Sequence, residues 1–188
     1  MAFGVRRFDR AANGETVHME DFAQVFRVYP ETKYDKASYR NIAEVLWVET
    51  GQDGIAEFLR RIVFAALIGN ADMHLKNWSL IYPDWRQAQL SPVYDFVSTI
   101  AYLPEDELAL GFAGSKKFES LTEEQFVRFA AKAGLPQKLT LDVLHETVAA
   151  FAEKWRGKAN LGIDAKLRKA INTHLKRVPI YSGRSPKA

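Results

Sequence analysis

The sequence predicts an α+β fold made mostly of helices, with short β-hairpins set around one polar loop. Three observations predict it. Residues 37–48 and 54–68 carry apolar side chains at helical spacing, Ile55, Phe58, Leu59, Ile62, Val63, Ala66 and Leu67 falling on one stripe of the second. The polar stretch 69–77 follows directly and leads into two short strand-like runs, 78–82 and 87–90, divided by Pro83-Asp84. Beyond them Thr122-Glu123-Glu124-Gln125 has the form of a capping box opening a helix, with two more helical segments at 139–156 and 164–175.

Each element has a local reason. Residues 5–10 alternate imperfectly and stop at Ala12-Asn13-Gly14, after which 16–19 can pair back as a hairpin. A chain that begins in a strand leaves an edge to be completed, so the expectation is that further residues precede Met1. Asp53 is placed to cap the second helix, and Phe64, Ala65 and Ile68 make its far side apolar too, so this helix is expected to run into the centre of the fold and end at Gly69. Residues 107–112 and 116–118, around Ala113-Gly114, suggest one more hairpin. No internal repeat or low-complexity linker is present. The expected organisation is an entry hairpin and segment over 1–35, a helical lobe over 36–175 and a basic tail over 176–188.

Composition bounds the function. With 188 residues, 47% of them hydrophobic, the chain suits one compact lobe with a real core. A net charge of +3 and a pI near 9.0 leave room for a phosphate-bearing ligand, an acidic partner or nearby nucleic acid, although a solvated basic surface is the stronger reading. The absence of Cys excludes disulfides, Cys-based zinc sites and thiol nucleophiles, and a reducing cytoplasm fits. The longest apolar run, 62–68, is far short of the roughly 20 residues a membrane helix needs. Trp47, Trp78, Trp85 and Trp155 do not interleave with basic residues, which argues against a stacking platform for nucleic acid. His18, His145 and His174 have no ligand partners in sequence and read as structural; Lys176-Arg177 and the cations of 184–187 read together as a frayed, solvated tail.

The chemistry concentrates in 69–77, where Asp72, His74, Lys76 and Asn77 crowd a loop between a buried helix and a strand. Polar groups there are costly unless solvated, paired or used. A carboxylate with an amide five residues on is the spacing of a kinase catalytic loop, in which the carboxylate orients the attacking hydroxyl and the amide ligates metal. Asp72 and Asn77 fill those places. Asp95, after the second strand run, supplies a second metal carboxylate, and Asp95-Phe96 matches the start of the kinase Asp-Phe-Gly motif with Val97 in place of Gly. Such hard oxygen ligands suit Mg²⁺. His74 could hydrogen-bond a phosphate oxygen, best when protonated. Lys76 could reach a phosphate or neutralise a neighbouring carboxylate.

The runs Gly69-Asn70-Ala71-Asp72-Met73-His74-Leu75-Lys76-Asn77 and Leu90-Ser91-Pro92-Val93-Tyr94-Asp95 resemble the catalytic and metal motifs of HipA-like toxin kinases. Arg7-Phe8-Asp9-Arg10 and His18-Met19-Glu20-Asp21-Phe22-Ala23-Gln24 resemble that family's strand and the segment lining its adenine pocket. The resemblance implies the C-terminal lobe of a serine/threonine protein kinase fold, with ATP and Mg²⁺ as ligands. It further implies a helix-turn-helix antitoxin of the HipB type as partner, DNA reached only through that antitoxin, and a translation-related substrate such as an aminoacyl-tRNA synthetase. By position, Asp72 is the catalytic carboxylate, Asn77 and Asp95 the metal ligands, His74 and Lys76 phosphate neighbours, and Glu20, Asp21 and Phe22 the adenine-contacting segment through backbone groups. Glu20 and Asp21 also read as a helix-start pair.

Complete members of that family add a small lobe with a phosphate-covering loop and a phosphate-binding Lys. No Gly-rich loop stands before the adenine segment here, and Lys33 and Lys36 lie downstream of it. The expectation is a kinase lobe that needs such a small lobe. A catalytically silent lobe that binds an antitoxin or client, one half of a split kinase, and a metal-dependent hydrolase using Asp72 and Asp95 are the other readings.

Overall fold

The computed structural model describes residue 4 and residues 7–10, 13–34, 36–157 and 161–182. The expected hairpin strand at 5–10 lies partly outside the described residues, and the cations of 184–187 lie wholly outside them. Arg177, expected in the same solvated tail, is instead held against the body, donating to Glu119 Oε1 at 2.6 Å and to Pro104 O at 3.0 Å beside the buried Val178 and Ile180.

Short elements lead into a helical body. Strand β1 (His18–Asp21) runs into the single turn α1 (Phe22–Val25), and the long helix α2 (Tyr39–Ile68) follows. After the polar loop come β2 (Ser79–Tyr82) and β3 (Gln89–Leu90), then α3 (Glu123–Ala133), α4 (Gln137–Arg156), α5 (Ala165–Leu175) and α6 (Pro179–Ser182). The strands form one antiparallel sheet in the order β1-β2-β3, with Glu20 opposite Leu80 and Leu80 opposite Leu90.

That pairing corrects the expected entry hairpin. Residues 9–10 and 16–17 meet only through an Arg10–Thr16 bridge and a bond from Val17 N–H to Asp9 O of 3.0 Å, while His18–Asp21 pairs with β2. The reason is burial: residues 13–16 are exposed, whereas β2 begins at the buried Ser79 and Leu80, and pairing with it seats Phe22 fully in the core. Asp21 caps α1 in both directions, its carboxylate accepting from Gln24 N–H at 2.8 Å and Gln24 Oε1 accepting from Asp21 N–H at 2.9 Å. Its helix-start role is therefore real.

Helix α2 joins the two expected helices into one element with a kink at Gly51, whose φ of 63° and ψ of −152° break the ladder. Thr50 Oγ1 turns back to Leu46 O at 2.7 Å, and a Cβ on Gly54 would sit 1.8 Å from that same oxygen. Helical order resumes directly after Gly51, so Asp53 lies inside the first turn and does not cap it. The expected stripe from Ile55 to Leu67 is buried in full, each large side chain contributing roughly 1.5–3 kcal/mol relative to exposure. The far side departs from expectation, because Phe64 is 40% exposed. It stacks on Phe96 at 5.8 Å and borders a groove of about 780 Å³ between α2, α4 and α5.

Thr122 caps α3 through its side chain, accepting from Gln125 N–H at 3.3 Å, and Gly134 in the left-handed region ends it. The hairpin expected at 107–118 is reduced to a Phe112–Ser115 bridge and a bond from Leu108 N–H to Lys116 O. Phe112 stacks on Phe129 of α3 at 4.4 Å.

His174 on α5 is structural, as expected. The ring is buried, packs edge-on against Phe118, and places Nε2 2.7 Å from Ala66 O, a contact that needs Nε2 to carry a proton and donate. Burial holds its pKa below the ordinary value, with Arg177 acting the same way. Below about pH 6.5 the unfolded chain binds a proton that the folded ring resists, so stability is full above that pH and falls as the pH drops through it. His174→Gln keeps a donor toward Ala66 O and removes the titration. Its melting temperature is expected to fall less steeply between pH 7 and pH 5 than that of the parent; equal slopes would show that His174 does not carry this linkage.

Candidate active site

The last turn of α2 presents the polar loop. Gly69 closes the helix in the left-handed region at φ 66°, ψ 52°, and Asn70 N–H reaches back to Ala65 O at 2.8 Å. Glycine is required twice here, since a Cβ would also lie 2.4 Å from the Ile100 side chain. Residues 98–100 fasten the exit: Ser98 Oγ donates to Ile68 O at 2.6 Å, Thr99 N–H to Gly69 O at 3.0 Å, and Ala71 N–H to Thr99 Oγ1 at 2.9 Å.

Apolar side chains then anchor the loop from below. Ala71, Met73 and Leu75 are buried, and Met73 O accepts from both Tyr39 Oη and Trp78 Nε1 at 3.2 Å. Buried Asn70 receives Asp72 N–H on Oδ1 at 3.0 Å. Its Nδ2 has no partner among the described residues. Asn77, 7% exposed, donates through Nδ2 to Asp72 O at 2.7 Å. This bond closes the loop and leaves Asn77 Oδ1 without a hydrogen bond among the described residues.

The Asp72 carboxylate stays at the surface, with its side chain 40% exposed. Tyr34 Oη donates to its Oδ1 at 2.7 Å, and His74 Nε2 lies 3.7 Å from the same oxygen. His74 is buried, accepts Lys76 N–H on Nδ1 at 3.3 Å, and meets Lys33 Nζ at 2.6 Å on Nε2. Burial, then the Lys33 charge, push its pKa down, outweighing Asp72 and Asp95, which pull it up. The protonated ring, which would serve a phosphate role best, is thus disfavoured here. Lys76 is exposed, and its ammonium has no ion pair among the described residues.

Asp95 is exposed and sits at φ 53°, an uncommon conformation for a residue with a side chain. Tyr94 ties it to the loop, donating to Lys76 O at 2.7 Å and touching Ser79 Oγ. Arg61, paired with Glu57, donates to Ser91 O at 2.8 Å and holds the start of the same segment. Asp95 lies close enough to act on His74 electrostatically. Phe96 points away, onto Phe64. No cluster of three or more His, Cys, Asp or Glu side chains able to hold a metal occurs among the described residues. Asn77 Oδ1 and the Asp95 carboxylate are hard oxygen donors of the kind Mg²⁺ takes.

At the entry segment, Phe22 N–H donates to Trp78 O at 3.0 Å and Asp21 N–H is held by Gln24. Ser91 N–H donates to Ser79 O, so alternate residues Leu80 and Tyr82 face β1 and bond Glu20 and His18. The backbone groups turned to the open edge are therefore those of Met19 and the Asp21 carbonyl. Tyr82 Oη donates to the Glu20 carboxylate at 3.2 Å.

Sequence spacing brings Asp72, His74 and Asn77 together correctly, but it did not find Lys33, Tyr34, Tyr94 or Arg61. Tyr94 had a signal, standing next to a metal-type carboxylate in a polar run. Lys33 and Tyr34 had none, because no spacing rule links them to a loop some 40 residues on.

Comparison with known proteins decides the family. The model of the HipA-like C-terminal domain matches residues 1–155. The chain belongs to the HipA-like C-terminal domain family. Among relatives, a Sinorhizobium fredii (strain NGR234) protein named "Putative kinase Y4dM" is 51% identical over 182 residues, covering 96% of this chain and 44% of that protein. A Haemophilus influenzae protein named "Putative kinase" is 30% identical over 181 residues, covering 81% of this chain and 51% of its own length. The HipA chain solved with HipB and operator DNA from Shewanella oneidensis MR-1 superposes with a TM-score of 0.71 at 23% identity, covering 94% of this chain and 48% of that one. The HipA-like chain shares that protein's kinase-like fold and spans about half the length of the relatives it matches. Among the described residues no helix is long and apolar enough to cross a membrane.

Proposed function

We propose that this HipA-like domain is the catalytic lobe of a toxin-type serine/threonine kinase that transfers the γ-phosphate of ATP to a protein hydroxyl. One observation carries the reading. Asp72 and Asn77 stand five residues apart in a loop closed by the 2.7 Å bond from Asn77 Nδ2 to Asp72 O, with the carboxylate exposed and an amide oxygen left available. In this reading Asp72 orients and deprotonates the acceptor hydroxyl, Asn77 Oδ1 and Asp95 hold Mg²⁺, and His74 stands beside the phosphate. Lys76 adds a cation at the same rim, and the open edge at Met19 and the Asp21 carbonyl offers a donor and acceptors for adenine. Mg²⁺ bound there would neutralise phosphate charge.

The name of the Shewanella complex supports a HipB-like antitoxin as partner, with DNA reached through it; a translation-related protein such as an aminoacyl-tRNA synthetase is the proposed substrate, and the cytoplasm the proposed compartment. The relatives extend well beyond the matched region, and the rest of the phosphate grip is assigned to the small lobe that such length can hold. Titration calorimetry checks the ligand half of the proposal. The full-length protein is expected to bind ATP with Mg²⁺ and more weakly without it, and Asp95→Ala is expected to lose about tenfold in affinity and most of the Mg²⁺ dependence. Binding that ignores both Mg²⁺ and Asp95 would remove the metal assignment.

A further inference from the structure

Two residues outside the catalytic loop reach into it from a segment that the kinase reading does not use. Tyr34 and Lys33 follow the turn Pro30–Thr32, and Lys116 Nζ donates to Tyr34 O at 3.0 Å, fixing the backbone of this arm from a distant loop. From there Tyr34 Oη donates to Asp72 Oδ1 at 2.7 Å. The Tyr34 ring meets His74 edge-on at 5.1 Å, Lys33 Nζ contacts His74 Nε2 at 2.6 Å, and the Lys33 ammonium lies 5.0 Å from the centre of the Tyr34 ring. Four side chains from two remote segments thus lock one another.

The lock has a directional consequence. A carboxylate that accepts a proton from a substrate must offer one defined oxygen, and free rotation about the Cβ–Cγ bond would spread it over many orientations. The phenol holds Oδ1. Oδ2 has no hydrogen bond among the described residues and is the acceptor left to face an incoming hydroxyl. The phenol remains a donor throughout the physiological range, since burial and the adjoining carboxylate push its pKa up to about 12. Asp72 also keeps its backbone clamps, Asn70 below and Asn77 beside it.

We infer that Tyr34 is a positioning residue for phosphoryl transfer, its hydroxyl fixing one oxygen of Asp72 so that the other receives the substrate hydroxyl, with Lys33 and His74 setting the place of the Tyr34 ring. The inference rests on the assignment of Asp72 as the catalytic carboxylate. Its signature is a separation of turnover from binding. Tyr34 touches neither the proposed metal ligands nor the adenine edge, so removing its hydroxyl leaves nucleotide binding alone and slows the step that depends on Asp72.

The test uses the full-length protein, radiolabelled ATP and a degenerate serine/threonine peptide library as acceptor. Tyr34→Phe is expected to lower kcat about tenfold, with KM for ATP within twofold of the parent and a melting temperature within about 2 °C. The same change in an Asp72→Asn background is expected to have no further effect, because the oxygen it steers is gone. If Asp72→Asn leaves transfer intact, the kinase assignment itself fails. If Asp72→Asn abolishes transfer while Tyr34→Phe keeps kcat within twofold, the positioning role is overturned. A Tyr34→Phe protein that loses kcat only together with a large fall in melting temperature or a matching rise in KM overturns it as well, by making the contact structural.

Discussion

Asp72→Asn in the full-length protein is expected to reduce transfer of the ATP γ-phosphate by about 10²–10⁴-fold, the range for loss of a positioned general base. The substitution is isosteric, and the amide oxygen can still accept from Tyr34 Oη. Both backbone bonds at residue 72 survive, since Asn70 Oδ1 takes its N–H and Asn77 Nδ2 its carbonyl. With the side chain 40% exposed, no buried charge is lost, so the melting temperature is expected to stay within about 2 °C. ATP affinity should change little, because Asp72 is not among the proposed metal ligands. Single-turnover transfer and calorimetry on the same preparation read both quantities. Transfer within threefold of the parent would end the kinase reading, whereas loss of transfer together with loss of folding would move Asp72 to a structural role.

The largest stability effect is expected at Trp78. Its indole is 1% exposed, lies 4.7 Å from the Phe58 ring and 6.1 Å from Tyr39, and donates to Met73 O at 3.2 Å. Truncation removes a large buried side chain and leaves a cavity that α2 and β2 cannot both close. Trp78→Ala should cost about 3–5 kcal/mol. For a domain of this size that is a fall of roughly 6–20 °C in melting temperature. Trp78→Phe, which refills most of the space and forfeits the indole donor, should cost distinctly less, since Tyr39 Oη still serves Met73 O. Urea denaturation of the three proteins measures both differences. A Trp78→Ala loss below about 1 kcal/mol would mean that the floor beneath the loop is not packed as described.

The consequence reaches function, because that floor is what the active loop stands on. Met73 O is held from two sides and both neighbours of Asp72, Ala71 and Met73, are buried, so the half-exposed carboxylate between them inherits its position from apolar packing. Reading the sequence alone shows the polar half of this arrangement but not its support. The spacing of Asp72 and Asn77 points to a closed loop because five residues are few enough for an amide to reach back to a carbonyl. The stripe from Ile55 to Leu67 was equally legible, since a helix fixes which side chains share a face. Asp21 as a cap, Thr122 as a cap and Gly69 as a helix end are legible for the same reason: each depends on residues within four positions of itself.

Other features escape such reading. The pairing of β1 with β2 joins residues about 60 positions apart, and the nearer hairpin partner lost because it buries almost nothing. The half-open face at Phe64 depends on where α4 and α5 settle, not on the composition of α2. The lowered pKa of His74 follows from its burial and from Lys33, which sequence spacing offers no reason to place there.

By itself, then, the sequence determined the helical stretches, the helix ends at Gly69 and Thr122 and the carboxylate-to-amide spacing of the loop, all set by geometry within a few residues of chain. Tertiary structure alone decided which strand completes the sheet, how Tyr94 and Arg61 hold the Asp95 segment, and that Tyr34 grips one oxygen of Asp72. Contacts between remote segments are chosen by what the whole chain can bury at once, and no local pattern encodes that choice.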